Sequence, residues 1–430
     1  MNFVFENVNT CENLVTCNDL HSSGMKRYSS SPVISTLLRN QTYKNVSNTP
    51  ANFNSYIIPV GVNHSNIDWC GPTKKFLIGF NIDIPNRKIL FSYLNSQYLA
   101  DLRSGKAFLL LDQTHEGYHE EWLNKWFHSS CEEFDINPRQ IIYITGNLDV
   151  ANQYTSWADA NKIVDRVLMV PFSHFEQCIY DAAQKKILPT FDQHLKYKTT
   201  NLDKIKDYNF LQKRPRAHRM WLFKEVCQAG LLDNGINSMN VFSRSDTYYL
   251  GRHMNELDYN EIIKHLPMLP PNVPNTKENL DEFANQDSGK YPDELNLDII
   301  LNSWVSVVSE ASFGENTCFI SEKTFKPIAC QHPFIIAGNK LSLHYLKEMG
   351  YKTFSPYIDE TYDTLECWER IPAIIQEIKK IQMMTPNQKI DWFCGVKEIL
   401  EYNANVFQIN SLNKISPPIL KIDNYFNNIK

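Results

Sequence analysis

Short apolar runs alternate with helix-length stretches through most of this chain, and that alternation limits its fold more than any other feature. Runs of strand length stand at residues 56–62, 76–80, 89–93, 108–111, 141–144 and 167–170, and helix-like stretches at 118–134, 150–162 and 174–186 separate the later ones. Strand, helix and strand joined by short links build βαβ units on a parallel sheet. A polar stretch at 192–207, with mixed charges and no apolar period, reads as a linker. A second alternation begins at 208–211. It continues with a helix at 216–229, where Met220, Trp221, Phe223, Val226 and Cys227 recur near a period of 3.6 and Gly230 stops the helix. Strands are expected at 236–242, 304–309 and 334–337, and helices at 321–331, 341–349 and 362–380. The segment 267–292 carries five prolines and reads as a surface excursion.

The predicted fold is therefore α/β and GT-B-like: two Rossmann-like βαβ domains facing each other across a cleft. The expected boundaries are a polar N-terminal arm at 1–50, a first domain at 51–195, a second at 196–400 and a C-terminal extension at 401–430. Open α/β sheets bind ligands outside the carboxyl ends of their strands, and a cleft between two of them can bring a donor and an acceptor together.

Composition removes several alternatives. Glycine is sparse, 15 of 430 residues, which excludes collagen-like and glycine-rich low-complexity chains, and 12% aromatic residues supply large cores. Ten cysteines form no Cys-x-x-Cys pair, so clustered metal sites and redox dithiols lack their spacing, and several sit in apolar runs as small buried hydrophobes. No segment approaches the length needed to span a bilayer, and no secretory signal opens the sequence; the expected location is cytoplasmic. The net charge is −5, which argues against a protein that neutralises long stretches of phosphate, although residues 1–110 carry 10 Lys/Arg against 6 Asp/Glu. Nucleic acid is a possible partner but not the favoured one.

The most informative segment is 304–339, WVSVVSEASFGENTCFISEKTFKPIACQHPFIIAGN. A strand ends with Glu310 at its carboxyl edge, a loop crosses, and Ser321 caps the next helix. That helix presents free N–H groups and its positive end, a ready anion site. Lys323 in its first turn opposes the dipole unless an anion sits there, and Glu322 is placed to accept bonds from vicinal hydroxyls. An isolated Ser-Glu-Lys reads equally as an ordinary capped helix with a solvated ion pair.

In that order the segment resembles the donor-binding signature of α-1,3-fucosyltransferases, inverting glycosyltransferases of the GT-B architecture, in which a strand ends in Glu-Asn-Ser and Tyr-(Ile/Val)-Thr-Glu-Lys opens the helix. Glu310 matches the first glutamate, and Phe319, Ile320, Ser321, Glu322 and Lys323 match the second block. The resemblance implies that Glu322 binds the ribose of a nucleotide and Lys323 its diphosphate, with Glu310 and Ser321 completing the donor site. This chain departs from the pattern at Ala311, Phe319 and Ser321, and Lys326-Pro327 interrupts the apolar helix that usually follows.

A second cluster, Lys213-Arg214-Pro215-Arg216-Ala217-His218-Arg219, also lies between a strand and a helix. Its cations oppose the helix dipole unless an anion is bound, and arginine reads two phosphate oxygens at once; a solvated basic patch is the plain alternative. In the resembled family an arginine after the first donor-domain strand contacts the diphosphate, which implies that part for Arg214 or Arg216, with Arg219 in support. A third cluster follows the strand at 108–111: Asp112, His115, Glu116 and His119. Inverting sugar transfer needs a group that deprotonates the acceptor hydroxyl. Glu116 beside Gly117 reads equally as that base and as a helix-start carboxylate; His115, Asp112 and His119 are rivals. Asn147 after Ile144-Thr145-Gly146 stands where an acceptor would pass, or simply makes a turn.

The chain is thus expected to be a glycosyltransferase that moves a sugar from a nucleotide diphosphate to a hydroxyl acceptor, a glycan or another. It is expected to be inverting and metal-independent, with no cofactor beyond the donor as co-substrate. No Asp-x-Asp motif holds a divalent ion, and cations with a helix terminus can neutralise the leaving diphosphate instead. Two other readings stay open: a DNA-modifying glycosyltransferase acting on hydroxymethylated bases, and a non-catalytic nucleotide- or glycan-binding module.

Overall fold

The structure, a computed structural model, describes residues 2–4, 14–15, 45–47, 56–62, 91, 94, 96–114, 117–270, 276–279, 295–314, 316–412, 420–422 and 424–425. The chain forms two compact units: 1–174 with 413–430, and 175–412. The division falls between His174 and Phe175, ahead of the 195/196 boundary expected, and the last residues return to the first unit. Tyr425 marks that return, its hydroxyl donating to Arg139 O at 3.0 Å and its ring lying edge-on to Phe108.

Among the described residues the first unit holds a sheet of seven strands: β1 (Asn2–Val4), β2 (Leu14–Val15), β3 (Asn45–Ser47), β4 (Tyr56–Val62), β5 (Ala107–Gln113), β6 (Ile141–Thr145) and β7 (Leu168–Pro171). Its order is β3-β1-β4-β5-β6-β7, all parallel, with β2 antiparallel to β4. Helices α1 (Ser96–Arg103), α2 (Glu121–Phe134) and α3 (Val150–Ala160) make the crossovers. Side chains alternate across the pleat, so Leu109, Leu111, Ile141, Tyr143 and Met169 join one buried cluster with Trp126, Phe127 and Tyr154 from the helices. The strands at 2–4 and 45–47 place parts of the expected polar arm inside this sheet. The expected strand at 76–80 lies outside the described residues, and of 89–93 only Phe91 is described, as helical and buried.

The second unit opens one residue into α4 (His174–Ala183), and α5 (Phe191–Thr200) follows. The stretch expected as a linker is therefore largely a helix, started by a capping box in which Thr190 and Gln193 bond each other's backbone N–H. Its buried positions are Phe191, His194 and Lys198, two of them polar, and that hid the period from an apolar count. Four parallel strands follow: β8 (Lys206–Leu211), β9 (Gly235–Ser238), β10 (Ser303–Ser309) and β11 (Phe334–Ala337), in the order β11-β10-β8-β9. The remaining helices are α6 (Ala217–Gln228), α7 (Glu256–Ile262), α8 (Leu297–Leu301), α9 (Glu322–Ala329), α10 (Ser342–Glu348), α11 (Cys367–Met383), α12 (Pro386–Gly395) and α13 (Lys397–Leu412). Two consecutive parallel α/β units are thus what the alternation in the sequence predicts.

The strand order positions the site. From β8 the chain leaves through α6 to β9 on one side; from β10 it leaves through α9 to β11 on the other. The carboxyl ends of β8 and β10 are therefore a topological switch point, where open α/β sheets leave a crevice between diverging crossovers. The starts of α6 and α9 flank it.

Candidate functional site

Glu310 follows β10 directly and is fully buried. Its carboxylate accepts the Ser321 N–H at 3.1 Å on both oxygens, the Ser321 hydroxyl on one, and the Thr324 hydroxyl at 2.6 Å on the other. Ser321 in turn caps α9, its Oγ accepting the Lys323 N–H at 3.4 Å. Glu310 thus spends its acceptors on the helix start and fixes where α9 begins. The approach is close: a Cβ on Gly338 would meet Glu310 Cγ at 3.2 Å and Ser342 Oγ at 2.9 Å, so any side chain there would push these neighbours aside.

Glu322 and Lys323 form the first turn of α9. Lys323 Nζ donates to Glu322 Oε1 at 2.5 Å and to Ser321 Oγ at 3.2 Å. The lysine side chain keeps 29% of its surface exposed and the glutamate 12%. Burial pushes the Glu322 carboxyl up, but the charge and hydrogen bond of Lys323, with Lys326 beyond, bring it below its ordinary value. Glu322, Lys323 and Lys326 line a cavity of about 360 Å³ with Lys213, Asn209 and Ser306. Its volume is at the lower end for small-molecule pockets.

The arginine cluster takes a more divided form. Arg216 is the N-cap residue of α6 and is exposed, its Nη1 donating to Ala311 O. Arg214 is exposed as well. Arg219 is 4% exposed and turned inward: Nη2 donates to Ser309 O at 3.3 Å and Glu310 O at 2.9 Å, and Nη1 to Arg214 O at 3.1 Å. Burial, then the charge of Arg216, pushes its guanidinium down to about 9. Its hydrogen bonds bind the strand end rather than the crevice. His218 between them is buried, bonds Glu310 O at 3.1 Å and stacks on Phe313 at 5.4 Å, nearly parallel. Burial and the charges of Arg219, Arg216 and Lys323 hold its imidazole well below the usual range.

The two helix starts therefore converge. Arg216 grips Ala311, Glu310 grips Ser321, and the fields of Arg216 and Lys323 both reach His218. Sequence reasoning found these residues but not Thr324, Phe313 or Arg370, which hold the loop between them; partners so far apart in the chain leave no local pattern.

In the first unit, His115 and Glu116 lie outside the described residues, as does the side chain of Asp112. His119 is buried at the carboxyl edge of the sheet, with its ring 6.1 Å from that of Tyr143, and burial lowers it to about 4. Asn147 is fully buried and serves its own turn: Oδ1 accepts the Asp149 N–H at 3.1 Å and Nδ2 donates to Gln153 at 2.9 Å. Among the described residues no group of His, Cys, Asp and Glu could hold a metal ion, and no helix is long and apolar enough to cross a membrane.

Fold and site together define a two-unit parallel α/β protein with basic helix starts at a switch point. No family model matches the chain, and no curated protein matches it in sequence. Among solved structures it is similar to a UDP-forming α,α-trehalose-phosphate synthase from Burkholderia xenovorans, at 10% identity and a TM-score of 0.37 over 86% of this chain and 87% of that one. It is also similar to the corresponding enzyme from Burkholderia vietnamiensis (11% identity, TM-score 0.39, 96% and 79%) and to the trehalose-6-phosphate synthase OtsA (10%, 0.34, 91% and 95%).

Proposed function

We propose that this chain is a glycosyltransferase of GT-B type that takes its sugar from a nucleotide diphosphate donor. The observation that carries the proposal is the convergence of the α6 and α9 starts on successive residues, Ala311 and Glu310, at the switch point of the second unit. Lys323, Arg214 and Arg216 face the diphosphate, and Glu322 takes the ribose hydroxyls. Arg219 acts behind them by holding the Ser309 and Glu310 carbonyls. Fixed cations and a helix N-terminus stabilise the leaving diphosphate without a metal ion.

The chemistry is a single displacement with inversion, as in the fucosyltransferase-like reading of residues 310–323. Glu116, with His115 beside it, removes the acceptor proton, and Asp112, His119 and Asn147 belong to the acceptor side. The acceptor is a hydroxyl compound, a glycan or another. Its expected place is the cytoplasm, where thiols stay reduced and cysteines serve as small buried hydrophobes.

The test is a thermal-shift panel of nucleoside diphosphates and their sugars, followed by donor turnover with and without EDTA. A diphosphate that raises the melting temperature, with turnover insensitive to EDTA and abolished in Glu116→Gln, is the expected result. No shift with any nucleotide removes the proposal.

A further inference from the structure

Between β10 and α9 the chain runs through residues 311–314, and each of these four meets another part of the second unit. Ala311 O accepts Arg216 from α6. Ser312 Oγ donates to Asn339 Oδ1 at 2.6 Å, just past β11. The ring of Phe313 stacks on His218 from α6 and lies 4.8 Å from the guanidinium of Arg370 in α11. Gly314 is wedged so tightly that a Cβ there would stand 2.6 Å from Leu250 Cδ1 and 2.8 Å from the Tyr249 hydroxyl.

Arg370 is central to this clamp. It is 2% exposed, and Nη1 donates to Phe313 O at 2.8 Å and to Gly338 O, while Nη2 donates to Leu365 O at 2.8 Å. One side chain thus ties the loop after β10 to the loop after β11 and to the start of its own helix. Main-chain carbonyls take up its bonds, so the guanidinium acts as a structural brace. Gly338 and Phe313 each lie within three residues of Glu310 or Asn339, the groups that set the start of α9 and the far side of the loop.

We propose that Arg370 is a positioning residue for the donor site: it fixes the path of residues 311–314, and through Glu310 and Ser321 the direction in which α9 presents Glu322 and Lys323. The inference rests on the donor reading given above. A site of this kind works only when its groups are held near their productive geometry, and small displacements transmitted from outside cost affinity.

The test compares the full chain with Arg370→Met, Arg370→Lys and Phe313→Leu, and with Phe393→Leu as a core variant that leaves the loop untouched. Phe393 packs on Phe191 and Trp304 elsewhere in the unit. Hydrogen exchange of peptides spanning 310–324 is measured first. It should accelerate roughly tenfold in Arg370→Met and Phe313→Leu and stay at the parent rate in Phe393→Leu. Affinity for UDP and GDP is measured next. The tighter of the two should weaken roughly tenfold in Arg370→Met, partly recover in Arg370→Lys, and hold in Phe393→Leu at matched stability.

Unchanged exchange over 310–324 in both Arg370→Met and Phe313→Leu overturns the inference, as does an affinity loss in Phe393→Leu equal to that in Arg370→Met. Should Arg370→Met not fold, Arg370→Lys, which keeps the charge but cannot reach all three carbonyls, decides, and unchanged exchange over 310–324 in it overturns the inference. Parent protein that binds no nucleoside diphosphate of the panel refutes the donor reading instead, and the exchange rates still report whether Arg370 sets the start of α9.

Discussion

Glu310 and Ser321 close the ends of one loop on each other: a fully buried carboxylate receives both the backbone N–H and the hydroxyl of the serine that caps α9. The glutamate therefore serves the helix start, and on the proposed reading it reaches a ligand only through that helix. Glu310→Gln keeps the shape but turns one acceptor into an NH2 group facing the donors of Ser321 and Thr324. Leaving buried donors unsatisfied costs about 1–3 kcal/mol. Denaturant unfolding should show that loss in full, whereas a purely ligand-contacting Glu310 would leave stability unchanged.

Lys323→Ala should separate binding from stability in the opposite way. The lysine is partly exposed but its partner Glu322 is largely buried, so the melting temperature should fall somewhat, by less than in Glu310→Gln, because Lys326 remains near the carboxylate. A charge-assisted hydrogen bond to a diphosphate is worth about 1.5–3 kcal/mol, or roughly a tenfold to hundredfold loss in nucleotide affinity. Without the lysine, the Glu322 carboxyl loses the main influence holding it low. Titration calorimetry with UDP and GDP reads the affinity, and an unchanged constant for both would take Lys323 out of the site.

The site was half legible in the sequence, for physical reasons. The run Trp304–Val308 is apolar and continuous except for Ser306, and Ser321 is an unambiguous cap, so β10 and α9 lie close to where they were expected. The arginine cluster was visible as charge, but charge alone does not say that Arg219 turns inward to carbonyls at the end of a strand some 90 residues away. Helix α5 looks like a linker in the sequence because its core-facing residues include His194 and Lys198, which an apolar period does not count. Arg370 gave no signal at all: a charged residue in an amphipathic helix normally faces water.

Acid should destabilise both units through histidines held neutral. Burial lowers His119 to about 4 in the first unit and His194 to about 3 in the second. With folded values below the unfolded one near 6.5, the unfolded chain binds more protons, so stability falls as pH drops through 6.5. At pH 5 each costs roughly 2 kcal/mol relative to pH 7. Urea unfolding at the two pH values checks this; His194→Leu should remove its share of the slope, and parallel slopes for parent and variant would contradict the assignment.

Lys198 gives the same relation at higher pH. It is wholly buried in α5, its Nζ donates to the carbonyls of Ile300, Leu301 and Ser303, and it lies 5.3 Å from the rings of Trp304 and Phe393. No carboxylate is among these partners, and burial lowers the ammonium to about 7. The unfolded chain keeps the proton up to its ordinary value near 10.4, so between pH 7 and 9 the folded state releases a proton that the unfolded state retains, and stability rises. The gain attributable to this group is roughly 2–3 kcal/mol over that interval. The neutral amine still has two N–H donors for the three carbonyls, which is why losing the proton does not dismantle the cage. Lys198→Met removes the titration and leaves the carbonyls without a donor, so it should lower stability at both pH values and more at pH 9. The measurement is the difference in unfolding free energy between parent and variant at pH 7 and pH 9. A difference that does not grow across that interval would mean the lysine is already charged throughout, held by its three carbonyls and two rings alone.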